Sequence, residues 1–321
     1  GYETAAFTAN PWTSRFYGYD RDFDSFEDFM AGDLSSRFIA EGKPRGPIAP
    51  IVQLLNWWQG QDMFMSWEAF YDDVLAWLAD ADRPYFLWLF LVDVHTPYLP
   101  PAEHLSRSRA VTYLANLALF FGGTFLPLRS VLHGPLVDAY EDTIRHVDRF
   151  VDRLTTDLEA LGEEPLVVLT ADHGEAFGEE PVFGETDVYG HGNGVAEHQL
   201  HVPLVVLNGP SGSVRRPFPV RRLPALLTTL ATGGDLESLL EPVAWARTYD
   251  PAVLVRGADW RYAWSPTDER VTVRSGDGWT EVDHPELAFV GRRLVDRALE
   301  GERERRRIRD ATADVAATAA L

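Results

Sequence analysis

The feature that most restricts this fold is the run Tyr85 to Val92, Tyr-Phe-Leu-Trp-Leu-Phe-Leu-Val, which has no polar residue to turn toward water. A strand with one wet face alternates apolar and polar side chains. A strand without alternation is buried on both faces, as in a parallel sheet covered by helices. The run is far too short to cross a bilayer, which takes about 20 residues of helix. Leu166 to Thr170 and Pro203 to Leu207 are two further runs of the same kind. Between the first and second lies an amphipathic segment from about Leu136 to Leu161. There Leu136, Tyr140, Ile144, Val147, Val151, Leu154, Leu158 and Leu161 follow a helical period, and Gly162 sits where a helix-terminating glycine belongs. Strand, helix, strand, loop, strand in this order predicts right-handed βαβ crossovers. The expected fold is α/β, a mainly parallel mixed sheet flanked by helices.

Smaller elements fill in the rest. Residues 66–79 read as a helix with Ser66 as N-cap and Trp67, Phe70, Val74, Trp77 and Leu78 on one face. Leu117 to Phe121 reads as a short helix or a packed loop. From about residue 245 the character changes to short strands separated by turn residues, such as Val253–Arg256 and Trp260–Trp264, and a charged helix follows from about Pro285 to Asp310. These patterns divide the chain into an α/β domain, residues 1–244, and a small C-terminal α+β subdomain of antiparallel sheet and helix, residues 245–321.

Charge narrows the partners. The formal net charge is -20, from 49 acidic against 29 basic residues, and Lys43 is the single lysine. Arg-rich codon usage explains the missing lysines, but the acidic excess favours a halophilic protein whose carboxylate surface stays hydrated in strong salt. Such a surface lacks the basic footprint that nucleic acid requires. With no cysteine, disulfides and thiolate metal sites are excluded. No run is long enough to span a membrane, so a soluble chain is expected, cytoplasmic or exported. It opens on Gly1 within an ordered-looking segment, and we expect an N-terminal part to be missing.

In open parallel sheets ligands bind outside the carboxyl ends of the strands. Two of the predicted strands end in polar clusters there: Asp93, His95 and Tyr98 after the first, and Asp172, His173 and Glu175 after the second. The following loop adds His191 between glycines. Carboxylates and imidazoles converging at one edge suit a divalent metal that holds an anionic ester. On the residues alone, Asp172 serves equally as the cap of a following helix with His173 merely exposed, and His95 before Thr96-Pro97 suits a solvated turn. The Glu-rich stretch from Phe177 to Asp187 is expected to shape access to the site.

Taken in order, these segments resemble the sulfatases of the alkaline-phosphatase superfamily. Val168-Leu169-Thr170-Ala171-Asp172-His173-Gly174-Glu175 is similar to the family's Thr-x-Asp-Asn/His-Gly segment. Gly1-Tyr2-Glu3-Thr4 with Arg21-Asp22-Phe23-Asp24, the strand ending in His95-Thr96-Pro97-Tyr98, and Gly190-His191-Gly192 followed by His201-Val202-Pro203-Leu204 resemble its other landmarks. The resemblance covers roughly residues 1–210. It implies a metal-dependent hydrolase of small-molecule or glycan sulfate esters. Asp172 and His173 would be metal ligands, while His95 and His191 would be catalytic and substrate-binding. Calcium is the ion implied, and His173 in place of the frequent Asn admits zinc or manganese. The family's nucleophile, formylglycine or Ser in Cys/Ser-x-Pro-x-Arg, has no counterpart here, since the run Phe125-Leu126-Pro127-Leu128-Arg129 begins with Phe. The expectation is therefore a fragment lacking the nucleophile. The alternatives are phosphoester or phosphonate hydrolysis on the same scaffold and a degenerate, non-catalytic binding protein.

Overall fold

The computed structural model describes residues 1–28, 49–58, 65–121, 129–179, 182–183, 188–191, 194–248, 252–276 and 278–319. Phe125 to Leu128, Gly192 and much of the Glu-rich stretch to Asp187 lie outside the described residues. The chain forms two compact units, Gly1–Glu164 and Pro165–Leu321. The boundary expected after residue 244 lies within the second of them.

The first unit is built on a three-stranded sheet, β1 (Glu3–Thr8), β2 (Ser25–Glu27) and β3 (Tyr85–Phe90). Its order is β2-β1-β3 and both pairings are parallel. The helices are α1 (Ala49–Trp58), α2 (Tyr71–Asp80), α3 (Arg109–Phe120) and α4 (Arg129–Ala160). Strand β3 explains why its sequence does not alternate. Leu87 and Leu89 pack into a core with Ala5, Phe7, Val74, Phe150 and Leu154, supplied by β1, α2 and α4. Phe86 and Trp88 point the other way, where Phe23 stacks on both rings and Tyr19 on Trp88. The two sides of one strand thus meet two different apolar layers.

Two local expectations are corrected and one open alternative is decided. The helix read over residues 66–79 is a single 3-10 turn, Trp67–Ala69, followed by α2, and Ser66 makes no capping bond. Its hydroxyl instead meets His146 Nε2 at 3.0 Å. Helix α4 begins at Arg129 and runs through Pro135. Its buried stripe differs from the apolar reading: Ile144 is exposed, while Asp142, Thr143 and His146 are buried. A stripe chosen by hydrophobicity cannot register polar side chains that find partners inside. The patch Leu117–Phe121 is largely helical, as the end of α3, whose N-cap Ser108 accepts the N–H of Val111.

In the second unit, β4 (Val167–Thr170) pairs with β7 (Leu204–Leu207). The crossover reading expected a mainly parallel mixed sheet. These two strands are antiparallel, Thr170 opposite Leu204. Between them, among the described residues, lie a hairpin of β5 (Ala176–Glu179) and β6 (Val188–Gly190) and a four-residue helix, α5 (Glu197–Leu200). After α6 (Leu223–Thr232) comes a five-stranded antiparallel sheet, ordered β12-β11-β10-β9-β8. These strands are β8 (Ala244–Arg247), β9 (Val253–Arg256), β10 (Trp260–Trp264), β11 (Glu269–Ser275) and β12 (Gly278–Glu281). Helix α7 (Pro285–Ala319) lies against one face through Leu287, Leu294 and Val295. Gly291 permits that approach, for a Cβ there would stand 2.2 Å from the Tyr262 ring. The other face, at Leu254 and Ala263, packs on Val195 and Leu200. Among the described residues, no helix is long and apolar enough to cross a membrane.

The core of the first unit yields a stability test. Phe150 is buried, edge-on to both Trp67 and Tyr71. Phe150→Ala is expected to cost about 3–5 kcal/mol, the range for a buried aromatic truncated in a packed core. Urea unfolding followed by tryptophan fluorescence measures it, and a loss below about 1 kcal/mol would contradict the packing.

Candidate functional site

Of the residues expected to carry chemistry, Asp172, His173 and His191 are brought together in the second unit, and Glu175 joins them. Strand β4 delivers the first two. At its end the chain turns rather than entering a helix, so Asp172 caps none; its Oδ1 accepts the N–H of His173 at 3.0 Å. His173 Nδ1 lies 2.9 Å from the carbonyl of Gly174. A carbonyl only accepts, so Nδ1 carries the proton and Nε2 keeps the lone pair. Metal-binding histidines are commonly oriented in this way. His173 Nε2 is 3.8 Å from Asp172 Oδ1, and both side chains are open to solvent.

Gly174 is the pivot. Its N–H donates to the Gln199 carbonyl at 2.8 Å, and a Cβ there would stand 2.0 Å from the His198 carbonyl oxygen. Only glycine lets the strand end press so closely on α5 and the segment leading to β7. The same stretch is held from the far side by the five-stranded sheet. Glu197 pairs with Arg256 at 3.2 Å and Arg261 at 3.4 Å, and both guanidiniums lie over the Trp279 ring.

The hairpin carries Glu175 and His191 to each other. His191 Nδ1 meets Glu175 Oε2 at 3.3 Å, and its ring lies 4.2 Å from that of His173. The carboxylate is nearly buried while the imidazole is partly open. The hydrogen bond from Glu175 raises the His191 pKa above its ordinary 6.5; partial burial opposes this, and the charges of Glu175 and Asp172 add to it. His191 therefore favours its cationic form. An imidazolium donates from both ring nitrogens: Glu175 takes the Nδ1–H, and the Nε2–H is a donor suited to an anion.

His95 stands in the first unit, in the turn after β3. Its N–H closes on the Val92 carbonyl at 2.9 Å and its Nδ1 lies 2.6 Å from the Thr96 carbonyl, which again leaves Nε2 as the basic nitrogen. Asp93 and Tyr98, read as part of the same polar cluster, turn inward. Tyr98 is fully buried, with its N–H on Asn116. The Asp93 carboxylate is buried against the Trp67 N–H and His146. Hydropathy could not flag His146, one of many polar residues on a long helix.

A family model described as Sulfatase matches residues 1–215, well over half of the chain. The chain belongs to the sulfatase family. No curated protein matches it. The match takes in the turn of His95 and the whole Asp172–His191 segment of this sulfatase domain. The family implies a resident metal, and the donor chemistry is suitable as far as it extends: Asp172 offers oxygen and His173 an imidazole nitrogen. Among the described residues no group of three or more His, Cys, Asp or Glu is placed to hold one ion, so these two would be part of a ligand set.

The Glu175–His191 pair makes a prediction for metal-free protein. Glu175→Gln should bring the His191 titration down toward 6.5, measured by NMR on the imidazole. Because the folded pKa is raised, the pair's contribution to stability is full below the unfolded value and fades as pH rises through the folded one. An unmoved His191 titration in the variant would mean that the pair does not form.

Proposed function

We propose that this sulfatase-family chain supplies part of the site of a metal-dependent sulfate ester hydrolase acting on small-molecule or glycan esters. The observation that carries this reading is the convergence of Asp172, His173, Glu175 and His191 at the end of β4 and along the β5–β6 hairpin, within the segment that matches the family. Asp172 and His173 are two ligands of a divalent ion, calcium by family resemblance, with zinc or manganese also suited to the imidazole. Such an ion would supply positive charge to the non-bridging ester oxygens. His191, whose protonation Glu175 favours, steadies the same anion. His95, protonated on both nitrogens, gives the Nε2 proton to the departing oxygen as the S–O bond breaks, and keeps its Nδ1–H on Thr96 throughout. The family's nucleophile motif, Cys- or Ser-x-Pro-x-Arg, has no counterpart in the 321 residues.

The test compares matched aryl sulfate and aryl phosphate as substrates of the protein that carries these residues. Sulfate is expected to be the faster ester, and His95→Ala to lower kcat by about 10²–10⁴-fold. Asp172→Asn is expected to weaken divalent-ion binding in calorimetry. Dominant phosphate turnover would replace the sulfatase reading with phosphoester hydrolysis. Ion binding without turnover of either ester would leave a non-catalytic binding protein.

A further inference from the structure

The first unit holds a buried polar cluster to which the proposed chemistry gives no part. Asp93 and His146 have side chains only 4% and 2% exposed, with Nε2 and Oδ1 3.4 Å apart. Ser66 Oγ lies 3.0 Å from the same Nε2. The Trp67 N–H reaches both Asp93 oxygens, at 3.2 and 3.4 Å, and the Trp67 indole N–H donates to the His146 carbonyl at 3.2 Å.

Serine, histidine and aspartate in contact invite comparison with a nucleophilic triad, and the geometry rules it out. In a triad the base takes the serine proton on one ring nitrogen while the carboxylate holds the other. Here both partners meet Nε2. The carboxylate stands at the same nitrogen as the serine rather than holding the far side of the ring, so the relay a triad needs is not built. His146 Nδ1 is buried without a partner among the described residues. A buried carboxylate this well enclosed is a costly feature that holds only with its donors in place.

What the cluster does hold is the turn. Asp93 lies two residues before His95, and its carboxylate is pinned to the residues entering α2 and to the middle of α4. On the other side of His95, Asn116 accepts the Tyr98 N–H at 2.7 Å and donates to the Tyr98 carbonyl at 3.0 Å. The segment is fastened at both ends, and His95 is the residue between.

We infer that Asp93, clamped by His146 and the Trp67 N–H, is the positioning residue that sets the place and tautomer of His95. The catalytic part of this inference rests on the proposed sulfatase reading; the geometric part does not. In the 321-residue chain with nitrogen-15-labelled histidine, His95 is expected to show one tautomer, protonated at Nδ1. His146→Leu or Asp93→Ala should add the second tautomer, and His146→Gln, which keeps a donor near the Nε2 position, should restore the first. Asp93→Asn, which keeps the volume, makes the same measurement should either truncation fail to fold. In the catalytically competent protein, kcat should fall by about 10²-fold with KM unchanged, as expected for a misplaced reacting group. His95 nitrogens unmoved in the folded variants would overturn the inference, even if the melting temperature dropped. A shifted His95 in a protein that turns over no sulfate ester would uphold the positioning role and sink the sulfatase reading instead.

Discussion

The parallel register of β1 against β3 organises the first unit. Thr8 lies opposite Phe90 and Glu3 opposite Tyr85, so both strands end at the same level. Strand β1 is central, with Ala5 and Ala6 fully buried on opposite faces. A slip of one residue would exchange Leu87 and Leu89 for Phe86 and Trp88 against α2 and α4. The aromatic stack with Tyr19 and Phe23 would then lose its partners, and the core would have to admit an indole. That penalty sets where β3 stops, and where β3 stops sets the turn carrying His95.

The second unit reaches a comparable result by different means. Its β4–β7 pair is short and its two sides are only partly covered, so little apolar burial fixes the residues after Thr170. Close backbone approach at Gly174 fixes them instead, with Glu197 tied to Arg256 and Arg261. These guanidiniums lie largely out of water, and burial lowers the Arg261 pKa against the opposing pull of Glu197. In a chain of net charge -20, such inward arginines are retained for the carboxylate and the Trp279 ring they hold.

Strand β3, the core of α4 and the Asp172-His173 turn were legible in the sequence because each rests on a local signal: an unbroken apolar run, a helical period, a strand end followed by glycine. The direction of β7 was not legible, since a short apolar run carries no information about which way its neighbour points. Nor was the turned-in state of Asp93. Its partners Trp67 and His146 are distant in sequence, and a lone carboxylate after a strand looks the same whether it faces solvent or core. Ser66 misled for a related reason. A serine before a helical pattern is a good cap by composition, and only the fold shows that its hydroxyl meets an imidazole from another helix.

The chain uses the same pair of groups, imidazole and carboxylate, in two environments with different consequences. Between Glu175 and His191 the imidazole is partly open, and the carboxylate's main effect is on charge: it favours the cation. Between Asp93 and His146 water is excluded from both members, and the main effect is on place: two anchors and a backbone N–H fix one carboxylate, and through it a turn. Exposure decides between these outcomes. A partly solvated pair can change protonation without disturbing its surroundings, whereas a buried pair that loses a donor strands a carboxylate in a low-dielectric core. The two arrangements are therefore suited to different tasks, one tuning the charge of an imidazole and the other holding a turn in place.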